Sequence, residues 1–224
     1  GLKMSPRRWA QLEALYNGEA EHTDRCLGQL LDGLKQLEQL DRTAVVFTSD
    51  HGEGFDEHGR VGHAYGLQAE LVDVPLVILA PGLREALAEV QTASSHLDLV
   101  PTVLDLLRVE ADPRIQGRSL LPVIRAAGAW PARVLPMEYG RAYGLRSRRY
   151  RYRVGYRGEE SLFDLARDRL EQNDIKGTHP LVLRYFRDLA GLHLIYRSQW
   201  KMRTWGTLNR HGAGFLHHLD TTGS

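Results

Sequence analysis

Apolar positions along the chain change their period from segment to segment. Over residues 6–40, Leu27, Leu30, Leu31, Leu34 and Leu37 recur at three- and four-residue steps, which lays an apolar stripe along one face of a helix. Pro6 suits its first turn, Ser5 stands where a cap belongs, and Gly18 marks a potential break. Thr43 to Thr48 is instead a continuous apolar run rich in β-branched residues, the pattern of a strand covered on both faces. Residues 49–69 carry no strong period. A second buried strand is predicted over Val74 to Leu79, stopped by Pro81-Gly82. Residues 97–108 read as a helix with Leu99, Val103, Leu106 and Leu107 facing inward. Helix, short turn and buried strand together predict an α/β sheet with flanking helices.

After about residue 125 the runs become short and turn-bounded. Val134 to Met137, Tyr143 to Arg146, Tyr150 to Val154 and Ser161 to Phe163 predict a small antiparallel sheet. Tyr and Arg alternate between Arg141 and Arg157, and a solvated strand face is the default reading of such a pattern. Pro180 to Leu194 reads as a helix packed on that sheet. The chain so divides into an α/β part over 1–127, a small antiparallel α+β subdomain over 128–195, and a basic, aromatic tail over 196–224. Trp200, Lys201, Arg203 and Trp205 in that tail suit either an interface or packing on the small sheet.

Composition changes this picture little. Among 224 residues, 42% are hydrophobic and 25% charged, enough apolar material for a real core. The 29 basic and 28 acidic side chains leave a formal charge of +1, so nothing predicts bulk affinity for nucleic acid or an anionic membrane. No stretch reaches the ~20 apolar residues of a membrane span, and Gly1 to Arg8 lacks the apolar core of a signal peptide. Localisation stays open. The single Cys26 excludes an intrachain disulfide.

The chemistry concentrates at Thr48-Ser-Asp-His-Gly-Glu53, directly after the first strand. A carboxylate beside an imidazole at a strand end can hold a divalent metal through oxygen and nitrogen. Glu57, His58 and His63 follow, spaced by glycines that let the loop fold back. The alternative is a polar loop whose histidines only satisfy backbone groups.

Ser49-Asp50-His51-Gly52-Glu53, Glu57-His58-Gly59, Gly62-His63, Val74 to Ile78 and Pro81-Gly82 together resemble the signature of the sulfatase family in the alkaline-phosphatase superfamily. Further collinear matches are Glu19 to Leu34, Ser95 to Leu106 with its Asp, Pro-Thr and Leu, Gly117 to Pro122, Arg148 to Arg153, and Ser161 to Asp168. The resemblance covers roughly residues 15–175. It implies the C-terminal half of an alkaline-phosphatase/sulfatase-like α/β fold, followed by a small antiparallel sheet.

Residue by residue, the resemblance makes Asp50 and His51 the metal pair, for Ca²⁺, Mg²⁺ or Mn²⁺, with Zn²⁺ in a two-metal variant. His63 matches a position that in sulfatases touches the sulfate, and in two-metal relatives holds the second ion. Glu53 and His58 shape the loop. Asp98 reads as a helix cap or buried acceptor, His96 as an ordinary polar contact, and Asp24 and Cys26 as packing or surface residues. The family's nucleophile motif, Cys/Ser-x-Pro/Ala-x-Arg, is not found: Cys26 is followed by Leu-Gly-Gln-Leu, and Met4-Ser-Pro-Arg-Arg8 carries Met in the nucleophile's place. The expected whole is a metal-dependent hydrolase of sulfate esters, inactive as this chain alone, with a sulfate or phosphate ester as substrate and an N-terminal half as partner. A phosphoesterase or phosphonate hydrolase of the same superfamily, and a non-catalytic binding module, are the alternative readings.

Overall fold

A computed structural model describes residues 4–63, 66–83, 89–90, 93–126 and 132–197. The first helix, α1 (Pro6–Gln36), has Pro in its first turn and runs through Gly18 without a break. Ser5 occupies the cap position in extended geometry, but its side chain makes no cap hydrogen bond. No residue of α1 is buried. Its predicted stripe is real yet largely uncovered, with Leu30 59% and Leu37 70% exposed.

Strands β1 (Val45–Thr48) and β4 (Leu76–Leu79) pair antiparallel, from Val45 opposite Leu79 to Thr48 opposite Leu76. Between them lie β2 (Gly54–Phe55) and β3 (Val61–Gly62), which form a short hairpin, and the single-turn helix α2 (Ala69–Val72). The sequence predicts β1 and β4 to be covered on both faces. In the structure both are half-buried and Val77 is 48% exposed. The reason is packing on one side only: Ile78 meets the core of Ala80, Leu83 and Leu121, joined by Leu106 and Ile124. Val45, Phe47, Val77 and Leu79 instead face a groove of about 990 Å³, whose other wall includes Leu27 and Leu31 of α1.

A 3₁₀ turn at His96–Asp98 leads into α3 (Leu99–Leu106), and Ser95 with Asp98 forms a capping box. Asp98 is fully buried, the acceptor role that the sequence suggests. It accepts from the Ser95 amide at 2.8 Å, the Arg118 amide at 2.9 Å and the Arg133 guanidinium. Thr102 extends the knot, donating to the Asp98 carbonyl at 2.5 Å and accepting from the Leu120 amide at 2.9 Å. A Cβ on Gly117 would collide with the Leu97 carbonyl, so the knot closes only around glycine. These polar contacts set the rotation of α3: Pro101 and Thr102 are buried, while Val103 and Leu107, expected inside, are 38% and 65% exposed. A short helix, α4 (Leu121–Ala126), follows.

Strands β5 (Leu135–Tyr139), β6 (Ala142–Arg146), β7 (Tyr150–Val154) and β8 (Glu160–Asp164) form an antiparallel sheet in sequential order, as the turn-bounded runs predict. Leu135, Leu145, Tyr152, Leu162 and Phe163 are buried in it. The arginines of β7 overturn the expectation of a solvated face. Arg151 is fully buried, bonded to Glu171 and, at 2.5 Å, to Asp73; Arg153 lies 3.0 Å from Glu171. A buried guanidinium is tolerable only with carboxylates beside it, and both partners lie far from β7 in the sequence. Burial pushes the Glu171 carboxyl up against the opposing pull of Arg151 and Arg153.

Residues 180–197 form a helix, α5, in a second compact unit that begins at Ile175, while Gly1–Asp174 forms the first. The aromatic positions Trp200 and Trp205, with Lys201 and Arg203, lie outside the described residues.

One partly buried pair makes a pH prediction. Two guanidinium nitrogens of Arg149 bond the carboxylate of Asp164 and hold it below its ordinary value of 3.8. A carboxyl depressed in the folded state stabilises fully above its unfolded value and loses that contribution as pH falls through the folded one. Asp164→Asn should therefore flatten the acid limb of a melting-temperature profile below about pH 4. An unchanged acid limb would count against the pair.

Candidate metal and anion corner

At the end of β1 the chain turns sharply. The Ser49 hydroxyl donates to the His51 carbonyl at 2.6 Å, and the His51 amide donates to Asp50 Oδ1 at 3.0 Å. Next, the Gly52 amide bonds the Leu71 carbonyl at 2.9 Å, so close to α2 that a Cβ on Gly52 would strike the Glu70 carbonyl. The corner is thereby pressed onto α2. Asp50 remains open, its side chain 88% exposed, and that of His51 is half-exposed.

The imidazole of His51 is held by a neighbouring carbonyl. Its Nδ1 lies 3.0 Å from the Gly52 carbonyl, which can only accept, so Nδ1 donates there and, in a neutral ring, Nε2 is the nitrogen with the lone pair. That Nε2 stands 3.7 Å from Asp50 Oδ2. The separation is too long for a hydrogen bond and suits a cation bonded to both at about 2.0–2.4 Å. The two side chains thus share one side of the turn.

His63, just after β3, stacks on His51 with ring centroids 4.2 Å apart and planes at 25°. Its Nδ1 bonds Glu53 Oε2 at 2.9 Å. His96 bonds the Ser49 carbonyl at 2.9 Å, an ordinary polar contact that ties the α3 lead-in to the corner. Asp50, His51, His63 and His96 open onto a cleft of about 560 Å³ that is also lined by Tyr139 and Arg146. Burial lowers the Arg146 pKa, with Asp73 at 3.7 Å working against that shift.

Among the described residues, no group of three or more His, Cys, Asp or Glu side chains is placed to hold a metal ion. Asp50 and His51 therefore offer a hard cation two ligands, and such ions take six or more. Arg146 and the Glu53–His63 pairing were not legible from sequence. The alternation of Arg and Tyr in β6 and β7 marks Arg146 as charged but gives no face, and Glu53 looks like any loop carboxylate. Asp24 and Cys26 lie on the exposed helix α1, where Cys26 meets His22 at 3.6 Å.

Residues 5–109 match the family model described as Sulfatase. Arylsulfatase K of Mus musculus is 30% identical over 194 residues, which is 80% of this chain and 35% of that protein. The chain belongs to the sulfatase family. It spans about a third of the length of the curated relatives it matches. Two solved structures share its fold. One, described as a 2-O GAG sulfatase, superposes with a TM-score of 0.75 over 89% of this chain and 46% of its own, at 23% identity. Another, solved in complex with its substrate D-glucosamine-2-N,6-O-disulfate, is 28% identical with a TM-score of 0.58, covering 81% of this chain and 39% of its own. The sulfatase fold of this segment is therefore an α/β part with flanking helices followed by a small antiparallel sheet and a C-terminal helix.

Proposed function

We propose that this sulfatase segment is the cation-holding portion of a hydrolase of sulfate esters, with Asp50 and His51 as two of the metal ligands and His63 as a contact to the substrate's anionic group. The observation that carries the reading is the Asp50–His51 pair: two donor atoms 3.7 Å apart on one side of a turn, with the imidazole tautomer fixed by Gly52. A bound divalent cation would neutralise the ester anion and polarise it. The chain's own contribution is to hold a carboxylate and a lone pair in place, to aim His63 by way of Glu53, and to wall the cleft with Tyr139 and Arg146. The relative bound to D-glucosamine-2-N,6-O-disulfate supports a sulfated sugar as the substrate class.

The segment needs the rest of such a protein to turn over. It carries no nucleophile motif, and its two ligands bind a hard cation weakly. The open groove between α1 and the β1–β4 ribbon is the surface such a portion would cover. The purified 224-residue chain should show no turnover of an aryl sulfate above background, and should associate or melt at low temperature in size-exclusion and thermal unfolding. Turnover by the chain alone would refute this reading of its incompleteness. A coding sequence immediately upstream that lacks a Cys/Ser-x-Pro/Ala-x-Arg motif would refute the sulfate-ester assignment.

A further inference from the structure

His58 lies outside the proposed ligand set, yet it is among the most firmly held side chains of the loop. It sits at the turn of the β2–β3 hairpin, 16% exposed. Nε2 lies 3.1 Å from the Glu171 carbonyl, which can only accept, so Nε2 donates. Nδ1 lies 2.8 Å from a carboxylate oxygen of Glu70, within hydrogen-bond distance. One ring thus bridges α2 and a segment more than a hundred residues away.

The far anchor is unusually well fixed. Glu171 has a left-handed backbone, φ 55°, uncommon for a non-glycine residue. Its carboxylate is fully buried and held by Arg151 and Arg153. The same conformation aims its carbonyl at His58. The neighbouring Gln172 side chain donates to the Glu57 carbonyl at 3.2 Å, a second tie to the same turn.

We propose that His58 is a positioning residue: by clamping the β2–β3 turn between Glu70 and Glu171, it sets where His63, at the other end of that hairpin, stacks on His51. The inference rests on the cation-corner reading for its purpose, but its geometry stands separately. The hairpin is only two residues wide on each side, too short to hold its own shape, so the outside clamp fixes it.

The test uses a protein that includes the remaining portion of the sulfatase, with isotope-labelled histidine. Stacked rings shift each other's carbon-bound proton resonances, so the His51 and His63 signals report their contact directly. His58→Leu should move both toward unstacked values while amide signals of β5–β8 stay in place. His58→Gln, which keeps an amide donor, should restore most of the shift. Mn²⁺ added to the wild type should broaden both histidines, and the Leu variant should need about tenfold more Mn²⁺ for the same broadening, as for loss of an outer-shell support. If His58→Leu fails to fold, Gln172→Ala substitutes for it and should displace the same signals in the same direction. Unmoved His51 and His63 signals in the folded variant overturn the proposal. Moved signals with no Mn²⁺ effect in the wild type uphold the clamp and count against the cation corner instead.

Discussion

Asp98→Ala should destabilise the segment by about 3–5 kcal/mol, the range for removing one partner of a buried charged pair. Four donors converge on this fully buried carboxylate: the Ser95 and Arg118 amides and two guanidinium nitrogens of Arg133. Alanine would leave the mostly buried arginine without its carboxylate and would strip the 3₁₀ turn before α3 of its capping box. The loss is larger than for an ordinary cap, about 1 kcal/mol, because the amides and the cation are desolvated together. Urea unfolding followed by circular dichroism measures it. A change below about 1 kcal/mol would show that the knot contributes no more than an ordinary cap.

Asp50→Ala should act on chemistry and leave the fold intact. The side chain is 88% exposed and, among the described residues, hydrogen-bonds the adjacent amide, so the melting temperature should stay within the scatter expected for a surface substitution. In a protein that includes the remaining portion of the sulfatase, kcat/KM for a sulfate ester should fall by at least about a hundredfold, the scale of losing electrostatic stabilisation at a reacting anion. Excess chelator should produce a comparable loss in the unsubstituted protein, reversed by adding a divalent cation. Full activity in the Asp50→Ala protein would remove the carboxylate from the site.

Much of the fold was visible as pattern. The leucines of α1, the β-branched run of β1 and the turn-bounded runs of β5–β8 each follow a local period, and local period is what a sequence displays. What was hidden depends on partners far apart in the chain. Val77 reads as buried because Val and Ile dominate its run, yet only Ile78 meets the core. Arg151 reads as solvated because its neutralising partners, Asp73 and Glu171, lie 78 and 20 residues away. Val103 and Leu107 fit an apolar stripe, but the polar knot of Asp98 and Thr102 turns the helix elsewhere. The site divides the same way. Asp50, His51 and His63 stand in one compact string and could be named. The bond that aims His63 and the entry of Arg146 into the cleft are products of folding.

The Arg151 cluster also bears on how the segment comes apart. It joins the middle of the four-stranded sheet to Asp73, at the entrance of β4, so opening the sheet around Arg151 also breaks the tie to that entrance. Partial unfolding of the sheet alone is thereby penalised, and Asp73, Arg151 and Glu171 should lose their order in one event. Amide hydrogens of β7 and of the Gly52–Leu71 contact would then exchange with solvent through a shared opening, at matching free energies.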